Sequence, residues 1–104
     1  MNGSQIDPVL HPPARLQIAA VLASADDVEF ATLRELLEVS DSVLSKHLSA
    51  LSDAGYVTLS KAARDGRQRT WATFTRTGRK AFASHMKALT ALVESAQGAL
   101  AQKV

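Results

Sequence analysis

The sequence predicts a mainly α-helical α+β domain, in which three helices precede a small β-hairpin and one long helix closes the chain. Three observations carry that reading. Residues 40–55 run Ser-Asp-Ser-Val-Leu-Ser-Lys-His-Leu-Ser-Ala-Leu-Ser-Asp-Ala-Gly, with Leu44, Leu48 and Leu51 at i, i+4, i+7 and a glycine stop. Residues 56–74 are rich in β-formers and are interrupted by Arg64-Asp65-Gly66-Arg67, a turn in which Gly66 accepts positive φ. Phe82, Met86, Leu89, Val93, Ala96 and Leu100 then recur with the 4-3-4-3-4 spacing of a heptad seam.

Composition bounds what such a domain does. At 104 residues, 46% of them hydrophobic, the chain has room for one core. It has no cysteine, which excludes disulfides, thiolate metal sites and cysteine redox sensing. No apolar run approaches the roughly 18 residues of a membrane span, and Met-Asn-Gly-Ser-Gln-Ile-Asp-Pro at the start lacks the basic and apolar regions of a signal peptide. A cytoplasmic protein with no membrane partner is expected. The net charge of +2 is unevenly spread: residues 1–45 sum to −5 and residues 61–80 to +6. A local field of that size points to a polyanionic partner, the other reading being an uneven but merely solvated surface.

Taken in order, residues 1–11 read as a loosely ordered N-terminal arm, with Ile6, Val9 and Leu10 available to pack on the body. Pro12 and Pro13 suit the first turn of a helix, where a missing N–H costs nothing. That helix runs to about Ala25 and should be largely buried, since Leu16, Ile18, Ala19, Ala20, Val21 and Leu22 leave it little polar surface. Val28–Phe30 reads as a short strand. Thr32 then caps a second helix, about Leu33–Val39, with Glu35 completing a capping box and Leu33, Leu36 and Leu37 forming its apolar stripe. Ser40 caps a third helix, Asp41–Ala54. Two helices joined by one tight turn make a helix-turn-helix. Strands begin at Tyr56 and again at Arg69, and Trp71 and Phe74 on the second close the core rather than stack on bases. Thr75 caps the last helix, which runs to about Gln102. The architecture expected is therefore a winged helix-turn-helix over residues 12–75, followed by a dimerisation helix over residues 76–104.

The third helix carries the functional signal. Ser42, Lys46, Ser49 and Asp53 lie opposite the leucine stripe, Ser45 lies on its flank, and Asp41 and Val43 lie in the first turn. A face so small, hydroxylated and cationic can enter the major groove of duplex DNA and hydrogen-bond base edges. Thr32 and Ser40 offer hydroxyls and helix N-termini to phosphates. Lys61, Arg64, Arg67 and Arg69 surround the hairpin tip, with Arg64 and Arg67 best placed for phosphates or the minor groove. These eleven residues, Thr32, Ser40, Asp41, Ser42, Ser45, Lys46, Ser49, Lys61, Arg64, Arg67 and Arg69, form the expected DNA-binding set. A seam sustained so far beyond the body needs a partner surface. A second copy meeting it at Phe82, Met86, Leu89, Val93 and Ala96 gives a two-fold dimer, the other reading being that the helix folds back on its own domain. His11, His47 and His85 are too widely spaced for a preformed helical metal site. No phosphate loop, supported carboxylate pair or nucleophile with a base is visible, so no enzyme, cofactor or metal is expected.

The segment Val-Ser-Asp-Ser-Val-Leu-Ser-Lys-His-Leu-Ser-Ala-Leu-Ser-Asp-Ala-Gly-Tyr-Val resembles the recognition helix of the ArsR and MarR winged-helix regulators, through Ser40, Leu44, Ser45, Lys46, His47, Leu48, Leu51, Gly55, Tyr56 and Val57. Ala-Arg-Leu-Gln-Ile-Ala-Ala-Val-Leu is similar to the first helix of the ArsR group, and Phe74, Thr75, Gly78 and Arg79 match the MarR-type entry into the last helix. The resemblance covers roughly residues 9–95 and is to the small single-domain members. It implies a transcription regulator, usually a repressor, that binds a palindromic operator as a homodimer. The absence of cysteine departs from the thiolate metal sensors of the ArsR group, and the chain is short for the terminal helices that build the MarR ligand cleft. A rival from another class is a winged-helix protein-interaction module whose basic wing faces an acidic partner.

Overall fold

In the computed structural model, which describes residues 5–103, the elements follow the order α1 (Pro13–Ala23), β1 (Val28–Glu29), α2 (Phe30–Leu37), α3 (Asp41–Asp53), β2 (Val57–Arg64), β3 (Arg67–Phe74) and α4 (Arg76–Lys103). The three strands form one antiparallel sheet of order β1-β3-β2. This is the expected winged helix-turn-helix with a long closing helix. Its core is a set of fully buried leucines and one isoleucine, Leu10, Ile18, Leu22, Leu33, Leu44, Leu48 and Leu51, closed from the sheet side by Val57, Ala72 and Phe74.

Local chemistry explains why α3 is placed so definitely. The Ser40 hydroxyl accepts the Val43 N–H at 3.2 Å, the expected N-cap. At the other end Gly55 takes φ 82, its N–H bonds the Ser52 carbonyl, and the Tyr56 N–H bonds the Leu51 carbonyl, both at 2.9 Å. That pair of bonds is a Schellman closure, which needs the left-handed residue that glycine supplies. The helix-turn-helix turn is made by Glu38 in the left-handed region at φ 54, then Val39 and Ser40.

Several expectations are corrected. Thr32 does not cap α2. The helix starts three residues earlier, because Glu29 pairs with Trp71 of β3 and the chain enters the helix straight from β1. Glu29 occupies the N-cap without a side-chain bond, and Thr32 lies exposed in the first turn. Starting at Phe30 also turns the helix: Phe30, Leu33 and Leu37 face inward, and Leu36 is left 58% exposed. The first helix ends at Ala23, and only Ile18, Ala19 and Leu22 of it are buried, Ala20 facing out. The hairpin is longer than predicted. Asp65 (φ 54) and Gly66 (φ 75) form a two-residue turn with positive φ at both positions, which fixes Arg64 opposite Arg67 and Val57 opposite Phe74. The expected loose arm is instead packed from Asp7 onward: Leu10 is fully buried and Val9 packs on the core. Residues 1–4 lie outside the described residues.

The root of α4 is fixed by Thr75. Its hydroxyl accepts the Gly78 N–H at 2.9 Å and donates to the Gly55 carbonyl at 2.6 Å, tying the helix start to the end of α3. Phe82 then stacks obliquely on Phe74 with ring centroids 6.2 Å apart. Beyond Thr90 every described residue of α4 is exposed, and the molecule measures 62 × 26 × 20 Å because this helix of 28 residues projects from the body.

Candidate nucleic-acid interface

One side of the molecule presents the outer face of α3 next to the hairpin. Asp41, Ser42, Ser45, Lys46 and Ser49 are all exposed on α3, with the leucine stripe turned inward. Ser45 and Ser49 also line a groove of about 310 Å³ whose other wall is Leu59 and Thr70 of the hairpin and Phe30 of α2. The outward face of α3 and the base of the hairpin therefore share one concave surface. Asp41 is not free: its carboxylate takes a 2.8 Å ion pair from Arg34 of α2, whose guanidinium it holds above its usual pKa. Ser40 is occupied by its capping bond and lies 3.3 Å from the Ser42 hydroxyl.

A second groove, of about 350 Å³, lies between the start of α2 (Glu29, Phe30, Ala31) and Arg67, Gln68, Arg69 and Thr70 of β3. The backbone N–H groups of an uncapped helix start and an exposed arginine thus border the same opening. Thr32 is exposed one residue beyond.

The wing cations divide into two kinds. Arg64 pairs with Asp27 at 2.8 Å and lies 3.7 Å over the Trp71 ring. Arg69 pairs with Glu29 at 3.0 Å, both being largely shielded. Lys61 and Arg67 are exposed and enter none of the ion pairs among the described residues. Arg79, part of the same basic stretch, caps the end of α1 through the carbonyls of Ala23 and Ala25. His47, half-buried behind the leucine stripe, is held below the usual histidine pKa by burial first, then by Arg15 and Lys46. It is neutral at pH 7 and adds no cation.

A model of the family described as winged helix DNA-binding domain matches residues 14–93. The chain belongs to the winged helix DNA-binding domain family. An uncharacterized protein of Methanocaldococcus jannaschii is 32% identical over 78 residues, which span 75% of this chain and 85% of that one. A transcriptional regulator homologue from Pyrococcus horikoshii OT3 superposes with a TM-score of 0.79 at 25% identity, covering 84% of this chain and 86% of that one. The YusO protein of Bacillus subtilis shares the fold with a TM-score of 0.72 at 19% identity, over 80% of this chain and 58% of that one. The resemblance read from the recognition-helix string is borne out, and the fold and family are those of DNA-binding transcription regulators.

On this winged helix DNA-binding domain, sequence reasoning missed Asp27 and Glu29, the acids that hold Arg64 and Arg69. It also missed Phe30, Leu59, Gln68 and Thr70, which line the two grooves. For the hairpin positions a signal existed: an Asp-Gly turn of two residues sets the strand register and so which residues face α3. For the acids none existed, because the partners stand 37 and 40 residues apart. Among the described residues no group of three or more His, Asp or Glu is arranged to hold a metal, and no helix is long and apolar enough to cross a membrane.

Proposed function

We propose that this chain is a cytoplasmic repressor that binds double-stranded DNA sequence-specifically as a homodimer. The observation that supports it best is the exposed face of α3, where Ser42, Ser45, Lys46 and Ser49 lie outward and Ser45 and Ser49 border one groove with the hairpin. In this reading α3 enters the major groove, and Ser42, Ser45, Lys46 and Ser49 meet base edges. Asp41 joins them when its pair with Arg34 opens. Lys61 and Arg67 neutralise phosphates at the wing, and Ser40, Thr32 and the uncapped start of α2 border the backbone on the other side. Arg64 and Arg69 contribute by holding the wing against Asp27 and Glu29, and reach phosphate only by exchanging those partners. The seam of α4 supports pairing: Met86 is 40%, Val93 54% and Leu100 68% exposed, with Leu89 and Ala96 between them and Phe82, packed on Phe74, at its root. A two-fold axis along that helix sets two α3 helices on half-sites about one DNA turn apart.

Selection of bound fragments from a pool of genomic duplexes, repeated at two salt concentrations, tests the reading. The expected result is enrichment of a palindrome and a log–log salt slope of about −0.9 for each phosphate neutralised. Salt-sensitive binding without enrichment indicates a non-specific DNA binder. No binding at low salt moves the weight to a module for an acidic protein partner. Within the same assay, Arg67→Ala is expected to reduce the salt slope by about one unit per protomer and weaken all sequences alike. Lys46→Ala, if it reads a base, costs about 1–3 kcal/mol and relaxes preference at one position. Both side chains are exposed, so both variants should melt like the parent. Parent-like binding by both would sink the assignment.

A further inference from the structure

The N-terminal segment is fastened to the root of α4 through one buried histidine. His85 is fully buried, and its Nδ1 accepts the Asp7 backbone N–H at 2.9 Å. A backbone N–H only donates, so Nδ1 carries no proton and the neutral ring bears its proton on Nε2. Nε2 is itself buried without a hydrogen-bond partner among the described residues. The Asp7 carboxylate is committed elsewhere: Oδ1 accepts the Val9 N–H at 2.8 Å and Oδ2 the Tyr56 hydroxyl at 2.6 Å. That bond, and then burial, push the Tyr56 hydroxyl up to about 12. The His11 ring meets the His85 ring edge-on, centroids 5.6 Å apart.

This arrangement accepts only a neutral His85. An imidazolium would turn a second N–H against the Asp7 N–H and bury a charge with no acceptor on either nitrogen. Among the described residues two ionisable groups bear on its charge, both from the N-terminal segment: His11 opposes protonation and the Asp7 carboxylate favours it. Burial is the largest influence, and together with His11 it holds His85 below the usual histidine value. From the neighbouring elements, Arg15 of α1 acts on His47 instead, Tyr56 is spent on Asp7, and Arg79 of α4 is spent on the end of α1 and the Phe74 ring.

We propose that residues 5–9 form an acid-released strap: neutral His85 holds them on the root of α4 through the Asp7 N–H, and protonation of His85 breaks that bond and frees them. Released, His85 is solvated and binds its proton with the ordinary value near 6.5, above its value in the closed strap. Closure is therefore fully favoured above pH 6.5 and weakens as pH falls from there toward the lower value of the closed form. Because His85 sits between Phe82 and Met86 on α4, the switch acts at the start of the helix that projects from the body. The strap stands on its own geometry, whether or not that helix pairs with a second copy.

Amide exchange at Asp7 of the full chain, corrected for the intrinsic effect of pH, reads the strap directly. Protection is expected to fall by about ten-fold between pH 7.5 and 5.5 if the closed form stays neutral over that range. His85→Gln supplies a carbonyl acceptor that does not titrate, so its Asp7 protection should not change over the range. His11→Ala should keep the fall, and Tyr56→Phe should lower protection at both pH values while keeping it. Should His85→Gln not fold, the His85 Cε1–H shift of the parent decides: a midpoint below 6.5 that tracks release supports the strap. Equal protection of the parent at both pH values, a fall that survives in His85→Gln, or a His85 midpoint at or above 6.5 overturns it.

Discussion

Val93→Asp is expected to leave the chain monomeric in sedimentation and to lower its affinity for a palindromic duplex by about 100-fold, at a fixed salt concentration. The size follows from linkage of half-sites, where tethering two weak modules raises avidity by about 10² to 10⁴ with no new contact. The selectivity of the variant follows from exposure. Val93 is 54% exposed in the single chain and Leu92 beside it 60%, so an aspartate there meets water and costs the isolated helix only a few tenths of a kcal/mol. In the proposed homodimer the same position would face its own copy across the two-fold axis, and two carboxylates would be buried against each other, at several kcal/mol. The DNA-binding body, whose core cluster among the described residues draws on nothing in α4 past Phe82, should keep its fold as judged by circular dichroism. A Val93→Asp protein that remains dimeric would mean the seam is not the interface. A monomer that binds the palindrome as tightly as the parent would mean the half-sites are not read in pairs.

What the sequence made legible, and what it did not, divides by range. The third helix was readable throughout because its determinants are local: a serine cap, leucines at helical spacing, and a glycine whose left-handed conformation closes the last turn. Its outward face was readable for the same reason, since the inward face had been fixed. The start of α2 was misread because Thr32 and Glu35 satisfy the capping-box pattern, while pairing of Glu29 with Trp71 decides where the helix begins. A tertiary pairing overrode a local preference worth about 1 kcal/mol. The wing's electrostatics were legible as a charge sum but not as a structure. Arg64, Arg69 and Arg79 answer to Asp27, Glu29 and two carbonyls far away in the chain. The His85–Asp7 bond spans 78 residues, and no periodicity announces it.

Gly78→Ala is expected to destabilise the protein by about 2 kcal/mol net and to lower its melting temperature by about 10 °C. Helix propensity alone predicts the opposite sign. Glycine inside a helix is worse than alanine by about 0.5–1 kcal/mol, so the exchange should help wherever space allows. At Gly78 it does not. A Cβ there would collide with the Tyr56 carbonyl and come to 2.9 Å from Phe74 Cδ1. The carbonyl is backbone, it accepts the Thr75 N–H at 3.0 Å, and it sits just after the closure of α3, so it cannot swing aside. Relief requires shifting the root of α4 from the sheet, which strains the Thr75 bonds to Gly55 and Gly78 and loosens Phe82 from Phe74. Gly98→Ala separates sterics from propensity: nothing lies within 4 Å of its would-be Cβ, and the residue is on the exposed part of the same helix. That variant should be neutral or stabilising by up to about 1 kcal/mol. Thermal melts of the two variants beside the parent give the answer. A Gly78→Ala protein as stable as the parent would show that the helix root gives way freely, and the fixed exit angle of α4 would go with it. A large loss confined to Gly78 means that the angle at which the seam leaves the DNA-reading body is set by one carbonyl and the absence of one methyl group.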